Sequence, residues 1–363
     1  MTTVGREETR PVAVTSSAAA RRRAVGPVAC GVLAVALLVS ATVAVGLGAV
    51  AVPVDSVVAI LGAELWPGGA AAVAAFGPAE RAIVWELRLP RVLLGAAAGA
   101  GLSAIGATLQ VLTRNPLADP YLFGISAGAS VGAVLVILHA GPFAGPLTLP
   151  AAAFAGAMVA MAVVFAAARD RAGRTSSERL VLTGVAVAFV LHAITSFMIV
   201  TTVNRGAESA LFWMMGGLAN ARWSNVPVPC GVTLCGTAWL ILRAERINAL
   251  ALGDDAARTL GIDVSALRAE IFVVTALMTG AIVSAAGGIG FVGLVLPHVV
   301  RLVLGGNLRV LLPVAALLGA VFLVWVDVAA RAAFAPREIP LGVMTSLIGG
   351  VFFLWLVRRR APS

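Results

Sequence analysis

The chain has 363 residues, of which 60% are apolar and 12% charged, against roughly 25% charged in an ordinary soluble domain. At about 20 apolar residues per bilayer-spanning helix, this suffices for roughly ten spans and excludes a soluble enzyme or a disordered chain. The formal charge is +9 and all 26 basic residues are Arg, which excludes a Walker A loop, a Schiff-base lysine or a catalytic lysine.

Residues 1–25 are polar and end in Arg21–Arg23. They read as a disordered cytoplasmic tail. The apolar run that follows continues to about Val54, longer than the roughly 7–15 residues of a secretory h-region, so it reads as a retained helix. One membrane domain then covers 26–357, and 358–363 form a short cytoplasmic tail. Ten spans are expected at 26–51, 91–113, 121–139, 149–169, 180–203, 226–243, 269–287, 290–304, 309–329 and 340–357. The eighth is short for a full crossing. An even number of spans places both termini on one side.

The arginines set the orientation. Nineteen fall in segments assigned to the cytoplasm, and seven fall outside: Arg81, Arg88, Arg91, Arg205, Arg222, Arg331 and Arg337. Arginines placed between apolar runs point to membrane topology and not to nucleic acid. Trp66, Trp85, Trp213, Trp223 and Trp325 fall near outer ends, with Trp239 and Trp355 near inner ends, as interfacial anchors do. Gly95, Gly99, Gly101 and Gly106 along the second span allow close helix packing. Cys30, Cys230 and Cys235 form neither a metal nor a disulfide framework and read as packing residues.

Four segments stand apart. R-N-P-L-A-D-P at 114–120 breaks the chain after the second span, and alone could be a rigid turn. L-A-L-G-D-D-A-A-R-T-L-G-I-D at 250–263 predicts a short cytoplasmic helix, capped by Asp254 and Asp255 and ended by Gly261. It fits either docking into a partner's groove or a solvated connector. G-G-I-G-F-V-G-L-V-L-P-H-V-V-R at 287–301 predicts a broken helix, buried in protein or lining a cavity. His298 within it reads as structural in preference to a proton relay. Asp327 and Arg331 are four apart and can pair locally on a helix.

Together these segments resemble the FecCD family of bacterial ABC importer permeases, which carry iron–siderophore complexes, haem or vitamin B12. L-R-L-P-R at 87–91, R-N-P-L-A-D-P, F-W-M-M-G-G at 212–217, L-A-L-G at 250–253, F-V-G-L-V-L-P-H at 291–298, V-L-L-P at 310–313 and E-I-P-L-G-V at 338–343 occur in the family's order. The resemblance covers about residues 85–357 and is nearest in architecture to the vitamin B12 members.

The resemblance implies an all-α, polytopic permease of the type II ABC importer fold in the bacterial cytoplasmic membrane. Its expected cargo is an iron–siderophore or related metal chelate, with vitamin B12 or haem as alternatives. It implies a permease homodimer or a heterodimer with a similar chain, two cytoplasmic ATPase subunits and an extracytoplasmic substrate-binding protein, within membrane lipid and without nucleic acid. The chain itself would hold no cofactor or metal; ATP and Mg would sit on the ATPase, consistent with the missing lysine.

By the same resemblance, Arg88, Arg91 and Arg331 face outward and receive acidic residues of the binding protein. Leu252, Gly253, Asp254, Asp255, Ala256, Ala257, Arg258 and Gly261 form the element that couples to the ATPase. Asn115 and Leu117, with Ser176 and Ser177, correspond to the cytoplasmic gates. Glu178 departs from the small, neutral residues usual beside the second gate. Gly349, Gly350 and Val351 occupy a stretch where many members carry Pro, and Asn307-Leu308-Arg309 replaces a frequent Asp-His before the Arg. An ion-coupled secondary transporter is the rival reading, with His192 as its strongest mid-span candidate. An uncoupled channel is another.

Overall fold

The computed structural model describes residues 16–48, 50–66, 76–169, 176–202, 206–333 and 337–360. Arg6, Arg10, Arg171, Arg174, Arg205 and Thr175 lie outside them. Among the described residues the regular structure is helical, with no β-sheet.

The chain order begins with α1 (Ser16–Gly46), α2 (Val54–Leu65) and α3 (Pro78–Leu112). Next come α4 (Ile125–Ala140), α5 (Thr148–Ala167), α6 (Ser177–Val200) and α7 (Gly206–Met214). They are followed by α8 (Pro227–Leu242), α9 (Ala244–Ala251), α10 (Asp254–Thr259) and α11 (Val264–Ala286). The last three are α12 (Val292–Leu304), α13 (Leu308–Ala332) and α14 (Leu341–Arg360). Within the described residues, α1, α3, α5, α6, α11 and α13 are long and apolar enough to cross a membrane. The bent pair α8–α9, broken by 63°, and the shorter apolar helices α4, α12 and α14 occupy the remaining expected spans.

The boundaries differ most at α1, α3 and α14; α3 starts at Pro78, ahead of the expected residue 91, because a first turn opened by Pro78 runs on through the π-helical stretch Ala82–Arg88. α1 starts at Ser16, ahead of the expected residue 26, because Ala18–Ala20 and Arg21–Arg23 favour helix. It ends at Gly46, and after Pro53 a separate outer helix, α2, buries Val57 and Ile60. At the other end α14 carries helix through Arg360, past the expected boundary at 357.

Helix α3 is the hub. In its membrane-crossing window 78% of residues are buried, against 17% for α1 and for α6. Gly99 lies against the main chain of Gly319 on α13, and Gly106 against that of Gly293 on α12, so that an added Cβ at either would overlap backbone. In lipid such close approach replaces the hydrophobic drive of a soluble core. The outer helices leave apolar side chains exposed, among them Phe189 and Phe197 on α6 and Val351 and Leu354 on α14. Gly349 admits the ring of Phe291, which opens α12 in a left-handed conformation (φ 67°).

Candidate functional site

The outer rim is built around the end of α1. A helix C-terminus leaves carbonyls unpaired and carries partial negative charge. Arg88, at the end of a π-helical turn in α3 (Ala82–Arg88), donates from Nη1 to the carbonyls of Val45 and Gly46, each at 2.9 Å. Its Nη2 donates to Val50. Arg331 donates from Nη1 to Leu47 at 2.9 Å and from Nη2 to Ala44 at 3.0 Å. Its Nε lies 3.1 Å from Asp327. Arg91 donates from Nε to Asp327 at 2.9 Å and closes a bidentate pair with Glu338 at 2.9 and 3.0 Å.

The outward-facing expectation is therefore corrected for two of the three arginines. Arg88 and Arg331 are 8% and 7% exposed and point inward, because the terminal carbonyls of α1 and the buried Asp327 satisfy them. The local Asp327–Arg331 ion pair forms, and the same carboxylate also accepts from Arg91. Arg91 lies at the rim, and Arg222 and Arg337 are exposed beside it.

Inside the rim is a cavity of about 1100 Å³, lined by Glu208, Phe212, Trp213, Arg222, Arg337 and Glu338 among others. Three irregular segments meet at its floor. Gly217 N–H donates to Ala286 O at 2.8 Å, Leu341 N–H to Gly216 O at 2.9 Å and Gly342 N–H to Met215 O at 2.9 Å. The break after α11 thus lines a cavity and finds its partners in the 212–217 and 339–342 segments, as membrane depth requires. Gly216 has a positive φ of 72°, and a Cβ there would overlap Gly288 O. Sequence reading placed these glycines in three separate motifs; their meeting had no sequence signal beyond the glycines themselves. His298 is buried on α12, one turn before Arg301, which donates to Gln110 Oε1 at 2.9 Å. His192 is exposed on α6.

The opposite end of the bundle brings both segments expected as gates to the C-terminal end of α3. Asn115 Oδ1 accepts from Leu117 N–H at 2.9 Å, which folds the loop and leaves Leu117 exposed. Ser176 caps α6 by accepting from Arg179 N–H, and Ser177 Oγ donates to Leu112 O at 2.7 Å. Glu178 is exposed in the first turn of α6, where a negative charge suits the helix dipole. Asp119 accepts from Tyr121 N–H at 2.9 Å, and burial pushes its carboxyl up to about 6.

The segment at 250–263 forms the expected short helix, α10, with Gly253 (φ 107°) before it and Gly261 (φ 77°) after it. The expected aspartate caps are corrected. Neither Asp254 nor Asp255 caps the helix; Asp255 pairs with Arg258 at 3.0 Å, and Asp254 turns toward Arg114 and Arg268. Ala257 is buried, while Leu252 and Leu260 are 70% and 64% exposed.

Helices of this number and hydropathy, wrapped on one glycine-rich hub around a walled cavity, define an integral membrane permease. Residues 32–359 match the FecCD transport family, and the chain belongs to that family. It is the permease of a type II ABC importer. The cobalamin import system permease protein BtuC of Halobacterium salinarum is 43% identical over 339 residues, covering 92% of this chain and 90% of the relative. The Fe(3+)-citrate import system permease protein YfmD of Bacillus subtilis is 39% identical over 285 residues, 78% of this chain and 83% of the relative. The hemin transport system permease protein HmuU of Yersinia pestis is 38% identical over 283 residues, 76% and 84%. An inward-facing structure of a metal-chelate type ABC transporter superposes with a TM-score of 0.79 at 27% identity, covering 92% of this chain and 99% of that one.

Proposed function

We propose that this permease imports an iron–siderophore or related metal chelate. The observation that carries this is the cavity of about 1100 Å³, far larger than a bare ion needs, with mixed charged and aromatic walls. A chelate brings its own metal ligands, so the wall need only match its outer shape and charge. Cobalamin is the second candidate, supported by the relative from Halobacterium. Reconstituted importer should accumulate a labelled ferric siderophore in preference to cobalamin, hemin and ferric citrate. Uptake of cobalamin alone would overturn the cargo assignment and leave the permease class intact.

The same reading gives the chain a second permease copy or a similar chain, two ATPase subunits at the cytoplasmic face and a binding protein at the outer rim. The exposed Leu252 and Leu260 beside α10 support a protein partner there, since apolar side chains on an aqueous loop face gain by burial. The 19-to-7 division of the arginines between the segments that the sequence assigns to the two sides supports a cytoplasmic assignment for both termini. Substituting Gly253 together with Asp254 and Asp255 should abolish copurification of the ATPase; unchanged assembly and transport would remove the coupling assignment. Uptake that follows a proton gradient and is lost in His192→Ala would favour the secondary-transporter rival.

For the outer rim, the exposed Arg222 and Arg337 would meet acidic groups of the binding protein, while Arg91, paired with Asp327 and Glu338, and the buried Arg88 and Arg331 hold the rim together. Charge-assisted pairs at such a rim orient a partner and speed its arrival.

A further inference from the structure

One carboxylate joins three elements at the cytoplasmic face. Asp254, the first residue of α10, accepts from Arg114 Nη2 at 2.8 Å. It also accepts from Arg268 Nη2, at 3.2 Å on Oδ1 and 3.1 Å on Oδ2. Arg114 closes the C-terminus of α3 and heads the loop that carries Asn115 and Leu117. Arg268 sits in the second turn of α11 and is 5% exposed. The carboxylate therefore fastens α10 to the hub helix on one side and to α11 on the other.

The backbone at Arg114 adds a second observation. α3 ends in a paired cap: Arg114 N–H donates to Val111 O at 3.1 Å and Asn115 N–H to Gln110 O at 3.1 Å. This places Arg114 in the left-handed region (φ 50°), the position where glycine is the usual residue. Only one other non-glycine among the described residues, Phe291, has a positive φ. A glycine would satisfy the cap without strain, whereas an arginine there is strained. Local backbone preference thus argues against Arg114, and the contact its side chain makes is with Asp254. The left-handed turn aims the guanidinium at α10.

The neighbouring contacts extend the connection. Two residues before Arg114, Leu112 O holds Ser177 at the head of α6. Three residues after it, Leu117 stands exposed. A displacement of α10 therefore meets the gate loop at Arg114 and the second gate segment just beyond. Among the described residues, the other link from Asp254 leads into α11, which ends at the cavity floor.

We propose that Asp254 and Arg114 form the positioning link that passes movement of α10 to the gate loop at 115–117. This rests on the reading of 250–263 as the ATPase-facing element. Arg114 and Asp254 act through the loop and touch no cargo. Arg114 is half-exposed and an exposed ion pair contributes little to stability, so replacing Arg114 leaves the fold intact, with Asp254 still held by Arg268, while cutting the connection.

The test uses the assembled importer, this chain with its ATPase subunits, in lipid nanodiscs. Cys30, Cys230 and Cys235 are replaced by Ala, and Leu117→Cys reports the gate loop through its rate of reaction with a water-soluble maleimide. The rate is read without nucleotide and with a non-hydrolysable ATP analogue. With Arg114 intact, nucleotide should change the rate about fivefold or more, the range of ordinary site-to-site coupling. In Arg114→Gly, which suits the left-handed backbone, the change should fall below twofold while the ATPase still copurifies. Arg114→Lys should restore most of it. A nucleotide response in Arg114→Gly equal to that of the intact chain overturns the link. No nucleotide response with Arg114 intact, in particles that carry the ATPase, overturns both the link and the reading of 250–263 beneath it.

Discussion

Ser177 donates its hydroxyl to the carbonyl of Leu112 at 2.7 Å, tying the head of α6 to the foot of α3. Leu112 is the last residue of the buried hub, and its carbonyl belongs to the set that a helix leaves unpaired. The contact makes the two expected gate segments one structural unit.

Removing that hydroxyl should release the unit without disturbing the spans. Ser177→Ala is expected to cost about 1 kcal/mol, the net worth of an ordinary hydrogen bond. Ser177→Thr keeps the donor and should behave as the parent. Thermal unfolding in detergent measures the first effect. A faster maleimide reaction at Leu117→Cys in Ser177→Ala than in Ser177→Thr would show the loop loosening.

The rim arginines should divide into two groups. Arg88→Glu and Arg331→Glu would put a carboxylate against the carbonyls of α1, leaving buried acceptors without donors at about 1–3 kcal/mol each. Loss of folded protein is expected, visible as aggregation in gel filtration. Arg222→Glu and Arg337→Glu lie at exposed positions and should fold normally. If the binding protein docks at this rim, they weaken its capture at low salt and matter less as salt screens them. Equal capture by parent and double variant at low ionic strength would remove these two from the docking surface.

The spans were legible because lipid asks for long apolar runs, and the chain has little charge with which to interrupt them. The limits of α10 were legible too, since Gly253 and Gly261 adopt the positive φ that glycine supplies. Other features rest on main-chain groups, which no residue type reports. Arg88 looked outward until its acceptors proved to be the carbonyls of Val45, Gly46 and Val50. Asp254 looked like a helix cap, and its side chain instead found Arg268, 14 residues on in α11, and Arg114, 140 residues back beyond α3. The helix α2 was hidden because one apolar run seemed to continue through Pro53. The pairing of Asp327 with Arg331 was visible as a spacing, but a spacing cannot say whether a local or an outside partner wins.

The cavity floor supplies a controlled comparison between adjacent glycines. A Cβ at Gly216 would overlap Gly288 O, whereas a Cβ at Gly217 meets nothing within 4 Å. Gly216 also has positive φ, so alanine there is strained whatever the space. Gly216→Ala should therefore lower the melting temperature and the yield of folded protein, and Gly217→Ala should be tolerated. Gly342→Ala, whose Cβ would overlap Met215 O, should resemble Gly216→Ala. Equal tolerance of all three would mean that the three segments do not meet as described.

Asp119 gives a prediction that depends on pH. Burial raises its carboxyl from 3.8 to about 6, and the bond from Tyr121 N–H only partly opposes this. The folded chain thus holds the proton more tightly than the unfolded one. That contribution is fully present below the ordinary carboxylate range and is lost as pH rises through about 6. At neutral pH the ionised carboxylate is a burden on the loop between α3 and α4. Asp119→Asn keeps an oxygen to accept from Tyr121 N–H and removes the charge. Its melting temperature should exceed that of the parent at about pH 7.5, and the gap should close near pH 4.5, where the parent is protonated as well. An equal gap at both values would mean that the amide acts by packing, and that the carboxylate is ionised in the folded chain throughout.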